Sequence, residues 1–162
     1  MSAQRAGRAE GAAARRITPA LLKAWPLPDP GGGSSKEDRG RVLVVGGSRQ
    51  LPGAVLLTGI AALRAGAGKL QVATVADAAM SLVMSLPEAR VIGLPGGRTG
   101  AIRDLDADAT RSVQNADAVV VGPGMERSTA TQRVARAVIA DARATIVLDA
   151  GAVSYTHLTL PT

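Results

Sequence analysis

The run from Arg41 to Thr74 constrains the fold most, because it reads in unbroken order as strand, glycine loop, helix, glycine turn and strand. Val42 to Val45 is a continuous aliphatic run, which is typical of a parallel strand covered on both faces. A second strand is predicted from Leu70 to Val75, so the whole run predicts a βαβ unit. Ligands of such units bind outside the carboxyl ends of the strands, and the loop from Gly46 to Gly53 is therefore the first candidate site.

The rest of the chain continues the same alternation. Further helices are predicted over Ala76–Leu86, Asp104–Asn115 and Thr129–Ala142, and further strands over Arg90–Leu94, Ala118–Val121 and Thr145–Leu148. A short helix with a proline at its first position is predicted after Thr18, and Pro95 to Gly100 is predicted to be a turn. The pattern predicts an α/β domain with a largely parallel sheet, whose loops at Gly46, Gly122 and Asp149 lie on one edge.

Length and composition exclude several classes of protein. A chain of 162 residues that is 46% hydrophobic is long enough and apolar enough for one domain with a core. The absence of Cys excludes a disulfide framework, thiolate metal sites and a cysteine nucleophile. No apolar run approaches the ~20 residues of a membrane span, and the beginning of the chain lacks a secretory signal. We therefore expect a cytoplasmic protein with no membrane partner.

The formal charge of +6 is unevenly distributed. Residues 1–16 contain four Arg and one Glu, so half of the excess lies in a segment rich in Ala and Gly that we expect to be a flexible basic leader. Trp25 and Tyr155 are the only aromatic residues on which bases could stack. We therefore expect no nucleic-acid partner.

The glycines do not form either of two common phosphate-binding motifs. Gly68 and Lys69 are followed by Leu70, which excludes a Walker A motif, and no glycine pair has the third glycine of a dinucleotide fingerprint. The Gly122–Gly124 segment is more informative, because two glycines around a rigid proline at a strand end let a ligand approach the backbone closely. We interpret this segment as functional rather than as a plain turn.

Charged and titratable residues give weaker signals. A carboxylate at the end of an apolar strand, as at Asp149, is costly unless it caps a helix or serves a site, and both interpretations stay open. Lys36, Arg39 and Arg41 could contact phosphates, although solvated loop charges are the commoner case. His157 has no partner that the sequence identifies.

Four segments taken together carry a family resemblance. They read KEDRGRVLVVGGSRQLPGAVLLTGIAALRAGAGKLQVAT, LPEARVIGLP, DAVVVGPGM and TIVLDAGAV. In this order and at these separations they resemble the ADP- or ATP-dependent NAD(P)H-hydrate dehydratase family. The resemblance covers about Ile17 to Val153, and it implies a ribokinase-like three-layer α/β/α fold with a mainly parallel central sheet.

The resemblance also implies an activity. In that family a nucleotide phosphorylates the added hydroxyl of hydrated NADH or NADPH, and loss of phosphate restores the nicotinamide ring. It implies a lyase that repairs metabolites, with ADP or ATP and Mg²⁺ as cofactors, hydrated NADH or NADPH as substrate, and a homo-oligomeric parent enzyme. The residues that it places against the hydrated dinucleotide are Gly53, Ala54, Gly122, Pro123 and Gly124, with Ser48 and Asp149 at the edge of the site.

The sequence departs from the family after Val153. The family continues with a TPHxGE segment, a strand with a nucleotide-binding lysine, and a GTGD segment that supplies an anion hole and a general-base aspartate. This chain reads SYTHLTLPT instead. We therefore expect a flexible leader at 1–16, a C-terminally truncated domain at 17–153, a non-native tail at 154–162, and no catalytic or metal-binding residue within the chain.

Two alternatives to the dehydratase stay open. One is a small-molecule kinase of the same superfamily, which would act on a vitamin precursor or a sugar. The other is a non-catalytic nucleotide-binding or regulatory module, which requires that the present ending of the chain is genuine.

Overall fold

A single sheet of five parallel strands forms the centre of the protein. The structure, a computed structural model, describes residues 16–26, 35–36 and 38–155, without the side chains of residues 154 and 155. The strands are β1 (Arg41–Val45), β2 (Lys69–Val75), β3 (Ala89–Leu94), β4 (Ala118–Val121) and β5 (Thr145–Leu148), in the spatial order β3-β2-β1-β4-β5. β2 and β3 therefore lie on one side of β1, whereas β4 and β5 lie on the other side. The direction of winding, which is the direction in which successive strands are added, reverses between β1 and β4.

Helices cover both faces of this sheet. They are α1 (Pro19–Lys23), α2 (Pro52–Arg64), α3 (Ala76–Ser85), α4 (Ala107–Gln114) and α5 (Thr129–Asp141), followed by a 3-10 helix (Ala150–Tyr155). Residues of β1 alternate between two hydrophobic clusters: Val44 packs with α2 and α3, whereas Leu43 and Val45 pack with α4 and α5. Two separate cores on opposite faces confirm the three-layer α/β/α fold with a parallel central sheet.

The predicted elements are present, with small shifts at their ends. The βαβ unit is confirmed, and β4 and β5 have the bounds expected from their apolar runs. Helix α4 begins later than expected, because Asp106 is its N-cap and accepts a hydrogen bond from the backbone N–H of Ala109 at 2.8 Å. Thr18 caps α1 as predicted, but no residue of that helix is buried, and Trp25 beyond its end is 76% exposed.

Several expectations fall outside the described residues. These concern the leader up to residue 15, residues 27–34 and 37 of the loop before β1, and everything from residue 156 onward, including His157. The division into leader, domain and tail therefore stays a prediction. Among the helices of the described residues, none is both long and apolar enough to cross a membrane.

Candidate functional site

The loops that follow β1 and β4 meet at the carboxyl edge of the sheet, where the direction of winding changes. The backbone N–H of Gly47 donates a hydrogen bond to the carbonyl oxygen of Pro123 at 2.7 Å, and the N–H of Gly122 donates to Val45 at 3.0 Å. The third loop joins them, since the N–H of Asp149 donates to Val121 at 2.9 Å. The prediction that these three loops gather at one edge is confirmed.

Backbone packing explains two glycines of the GPG segment. Gly122 has a φ of +120°, and a Cβ at that position would overlap the carbonyl oxygen of Asp149. Gly124 has a φ of +70°, and a Cβ there would lie 2.5 Å from the carbonyl oxygen of Leu51. Both glycines are therefore required by contacts between the loops themselves, whatever ligand approaches them.

The first turn of α2 offers the open surface of this edge. Gly53 is exposed, and a Cβ at that position would have no atom within 4 Å. Ala54 follows it and is half-buried beside Gly124. The helix begins with Pro52, which has no N–H, and no side chain caps it at Leu51. The next backbone N–H groups of the first turn lack intrahelical acceptors, as in every helix, and give this end a partial positive charge.

Ser48 and Asp149 lie at the edge of the same region. Ser48 is buried, and its hydroxyl oxygen accepts a hydrogen bond from the N–H of Leu51 at 3.2 Å, which tightens the turn before α2. Asp149 is exposed, and its carboxylate has no hydrogen-bond partner among the described residues. Its backbone carbonyl, not its side chain, accepts from Ala152 at 3.0 Å, so the interpretation of Asp149 as a side-chain cap gains no support.

A folded segment over this edge was missed by the sequence analysis. Residues 95–103 form a small hairpin rather than the simple turn expected from Pro95 to Gly100, with antiparallel bridges from Gly96 to Ile102 and from Ala101 to Ser48. The N–H of Arg49 donates to Gly100 at 2.9 Å. The only signal was the glycine content of the segment, which indicates a turn but does not say where the turn docks.

Thr74 was also missed. It is fully buried at the carboxyl end of β2, and its hydroxyl is the one buried side-chain polar atom without a hydrogen-bond partner within the part of the chain that the structure describes. A Cβ on Gly47 would lie 2.7 Å from this hydroxyl, so the glycine loop passes directly over it. An unpaired buried hydroxyl lowers the stability of the folded state. A rearrangement of the glycine loop could supply the missing hydrogen-bond partner.

The basic residues considered as phosphate contacts lie elsewhere. Lys36 and Arg39 pack around Gly68, just before β2, and Arg41 begins β1. These positions are at the amino end of the strands, opposite the glycine loops. No group of three or more His, Cys, Asp or Glu side chains that could hold a metal ion occurs among the described residues.

Comparisons with known proteins agree on one family. Residues 42–159 match the profile of the family described as NAD(P)H-hydrate dehydratase. An ADP-dependent (S)-NAD(P)H-hydrate dehydratase of Xanthomonas campestris is 50% identical over 148 residues, which are 89% of this chain and 49% of that protein. The chain thus spans about half the length of this curated relative.

Solved structures support the same relationship. The ADP/ATP-dependent NAD(P)H-hydrate dehydratase of Bacillus subtilis, co-crystallized with ATP/Mg²⁺, is 28% identical with a TM-score of 0.62, over 84% of this chain and 45% of that one. A Streptococcus mutans protein is 25% identical with a TM-score of 0.73, over 91% of this chain and 51% of that one. A ribokinase-like protein of Enterococcus faecalis matches with a TM-score of 0.64 and 28% identity, over 76% of this chain and 41% of that one.

Proposed function

Because the chain belongs to the NAD(P)H-hydrate dehydratase family, we propose that it is the part of such an enzyme that holds the hydrated dinucleotide. The observation that carries this proposal is the meeting of the first turn of α2 with the GPG segment at the edge where β1 and β4 end. Gly53 leaves open space there, and Gly122–Gly124 are fixed by neighbouring backbone. A large charged ligand could therefore lie on a surface made of main chain and small side chains.

The chain's own groups suit binding rather than bond-making. The first turn of α2 attracts a negatively charged group such as the diphosphate of a dinucleotide. In the family, the nucleotide supplies the phosphoryl group that turns the added hydroxyl into a leaving group. The described residues offer no metal-binding cluster for Mg²⁺, so we assign no step of the reaction to a metal held by this chain.

The nucleotide and the ligand are inferred from the relatives. ADP or ATP dependence is named for those relatives. For this chain we propose hydrated NADH or NADPH as the ligand and no turnover by the 162 residues alone. The cytoplasmic location, the homo-oligomeric parent and the non-native character of the tail stay predictions.

A chimeric enzyme tests the proposal. Residues 17–153 would be joined to the remaining carboxyl-terminal half of the Xanthomonas campestris relative, and the release of NADH from hydrated NADH would be followed with ADP and with ATP. We expect the chimera to turn over and the 162-residue chain to remain inactive. Turnover of hydroxymethylpyrimidine or of a sugar in place of hydrated NADH would instead support the kinase alternative.

Matched variants of the chimera locate the ligand. Gly53→Leu places a large side chain in the open space of the first turn of α2, so we expect the KM for hydrated NADH to rise about tenfold or more. Ala61→Leu enlarges an exposed residue further along the same helix and should leave the KM within about twofold. Equal KM values for the two variants would contradict a ligand at Gly53.

A further inference from the structure

A cleft of about 430 Å³ lies at the amino end of the strands, opposite the glycine loops. Its volume is within the range of small-molecule sites, roughly 300–1,000 Å³. It is formed between the starts of three strands and helix α4. The lining residues are Arg41, Lys69, Gln71, Arg90, Asp108, Arg111, Ser112 and Asn115.

The strand register places the polar side chains of this cleft on one face of the sheet. Arg41 is paired with Lys69 across β1 and β2, and Gln71 is paired with Arg90 across β2 and β3. Paired residues of parallel strands point to the same face, and positions two apart on a strand share it. This is the face that α4 and α5 cover, because Leu43, which pairs with Gln71, belongs to their hydrophobic cluster.

The cleft has a strong excess of positive charge. Four cationic side chains and one carboxylate line it, which leaves an excess of three charges. The carboxylate, Asp108, accepts two hydrogen bonds from Nη2 of Arg90, at 2.7 and 2.9 Å, and a longer one from Nη2 of Arg111 at 3.5 Å. The cations repel one another, and an anion bound between them would reduce this electrostatic repulsion.

The polar side chains that an anion in this cleft would meet first are the four cations and Gln71. Ser112 of α4 and Asn115 at its C-cap donate to carbonyl oxygens of that helix, those of Asp108 at 3.0 Å and of Arg111 at 2.7 Å. The amide of Gln71 is half-buried and has no hydrogen-bond partner among the described residues. It lies between two pairs of cations, Arg41 with Lys69 and Arg90 with Arg111.

We propose that this cleft binds a diphosphate group, with one phosphate between Arg41 and Lys69, the other between Arg90 and Arg111, and the amide of Gln71 between them. Charge-assisted hydrogen bonds from three guanidinium groups and an ammonium group are the interactions that recognise phosphate oxygens. The site is separate from the carboxyl edge and does not depend on the proposed dehydratase function.

Equilibrium dialysis of inorganic pyrophosphate against the 162-residue chain tests this proposal. The double variant Lys69→Gln/Arg111→Gln removes one cation from each pair and leaves the Arg90–Asp108 ion pair in place. We expect the Kd for pyrophosphate to rise about tenfold or more in this variant, because each removed cation takes away a charge-assisted hydrogen bond to a phosphate oxygen. Orthophosphate at matched ionic strength should bind about tenfold more weakly than pyrophosphate.

The control removes a charge from another part of the surface. Arg64 lies in the last turn of α2, in the layer that covers the opposite face of the sheet, and Arg64→Gln should change the Kd less than twofold. Side-chain amide signals of Gln71 and Asn115 in NMR spectra should shift on addition of pyrophosphate. The proposal is overturned if pyrophosphate does not bind, if Arg64→Gln raises the Kd as much as the double variant does, or if pyrophosphate and orthophosphate bind with equal affinity. It is also overturned if the NMR signals that shift are confined to residues 46–54.

Discussion

The two ends of the same sheet are built in different ways. At the carboxyl end, the loops after β1 and β4 hold each other through backbone hydrogen bonds and glycines that admit no Cβ. At the amino end, long charged side chains of three strands and α4 line an open cleft. Substitutions of the tightly packed glycines at the carboxyl end would disturb the backbone contacts that shape it. Substitutions of the exposed charged side chains at the amino end would change its charge with little effect on the free energy of unfolding.

The largest expected effect tests the backbone contacts of the carboxyl end. Gly122→Ala places a Cβ against the carbonyl oxygen of Asp149 at a φ of +120°, which L residues rarely adopt. We expect the free energy of unfolding to fall by about 3–4 kcal/mol, measured by urea denaturation. Gly53→Ala is the control, because its Cβ meets open space, and it should change that free energy by less than about 1 kcal/mol.

A smaller effect compares two buried threonines. Thr74 has an unpaired hydroxyl, whereas the hydroxyl of Thr131 donates a hydrogen bond to the carbonyl oxygen of Glu126 at 2.6 Å. Thr74→Val should therefore raise the free energy of unfolding by about 1 kcal/mol, and Thr131→Val should lower it by about 1–2 kcal/mol. If both variants were destabilised alike, the hydroxyl of Thr74 would have a partner, and the carboxyl end would depend on side chains as well as on backbone.

The smallest effect tests the charges of the amino end. The hydrogen bonds from Arg90 lower the pKa of Asp108, with smaller contributions from the charges of Arg90 and Arg111, against an opposing effect of desolvation. The stabilisation that follows is present at neutral pH and is lost as the pH falls through this lowered pKa.

Arg90→Gln should therefore raise the pKa of Asp108, which NMR titration of its carboxyl carbon would measure. The free energy of unfolding, measured with urea, should also fall less between neutral and acidic pH in this variant than in the unchanged protein. Arg103→Gln is the matched control, because Arg103 pairs with Asp104 instead. A pKa of Asp108 that moved equally in both variants would show that general surface charge, and not the Arg90 contact, sets it.

Much of the fold could be predicted because local sequence and tertiary structure agree. β4 and β5 are short aliphatic runs between polar segments, so their ends were clear. Helix α4 was predicted three residues too long at its beginning, because Asp104, Leu105 and Asp106 suit a first turn as well as a loop. Asp104 instead pairs with Arg133 at 3.1 Å, which lies far away in the sequence.

The candidate site was predictable only in part, for a related reason. Parallel strands require that the loops at Gly46, Gly122 and Asp149 share an edge, whichever residues they contain. The docking of residues 95–103 on the β1–α2 loop depends on isolated bridges, which leave no periodic pattern in the sequence. The amino-end cleft was missed because its four cations come from four separate elements, and Arg41 alone looked like a solvated charge.

The two hydrophobic clusters are completed at different points during synthesis on the ribosome. The cluster under α2 and α3 consists of residues 42–91 apart from Val120, whereas the opposite cluster needs residues up to Ala152. At about 5–20 residues per second, several seconds separate the two. During that interval α2 and α3 can pack on one face of the sheet, while Leu43, Val45 and Ile92 on the other face remain exposed to solvent. A chaperone could bind this exposed face.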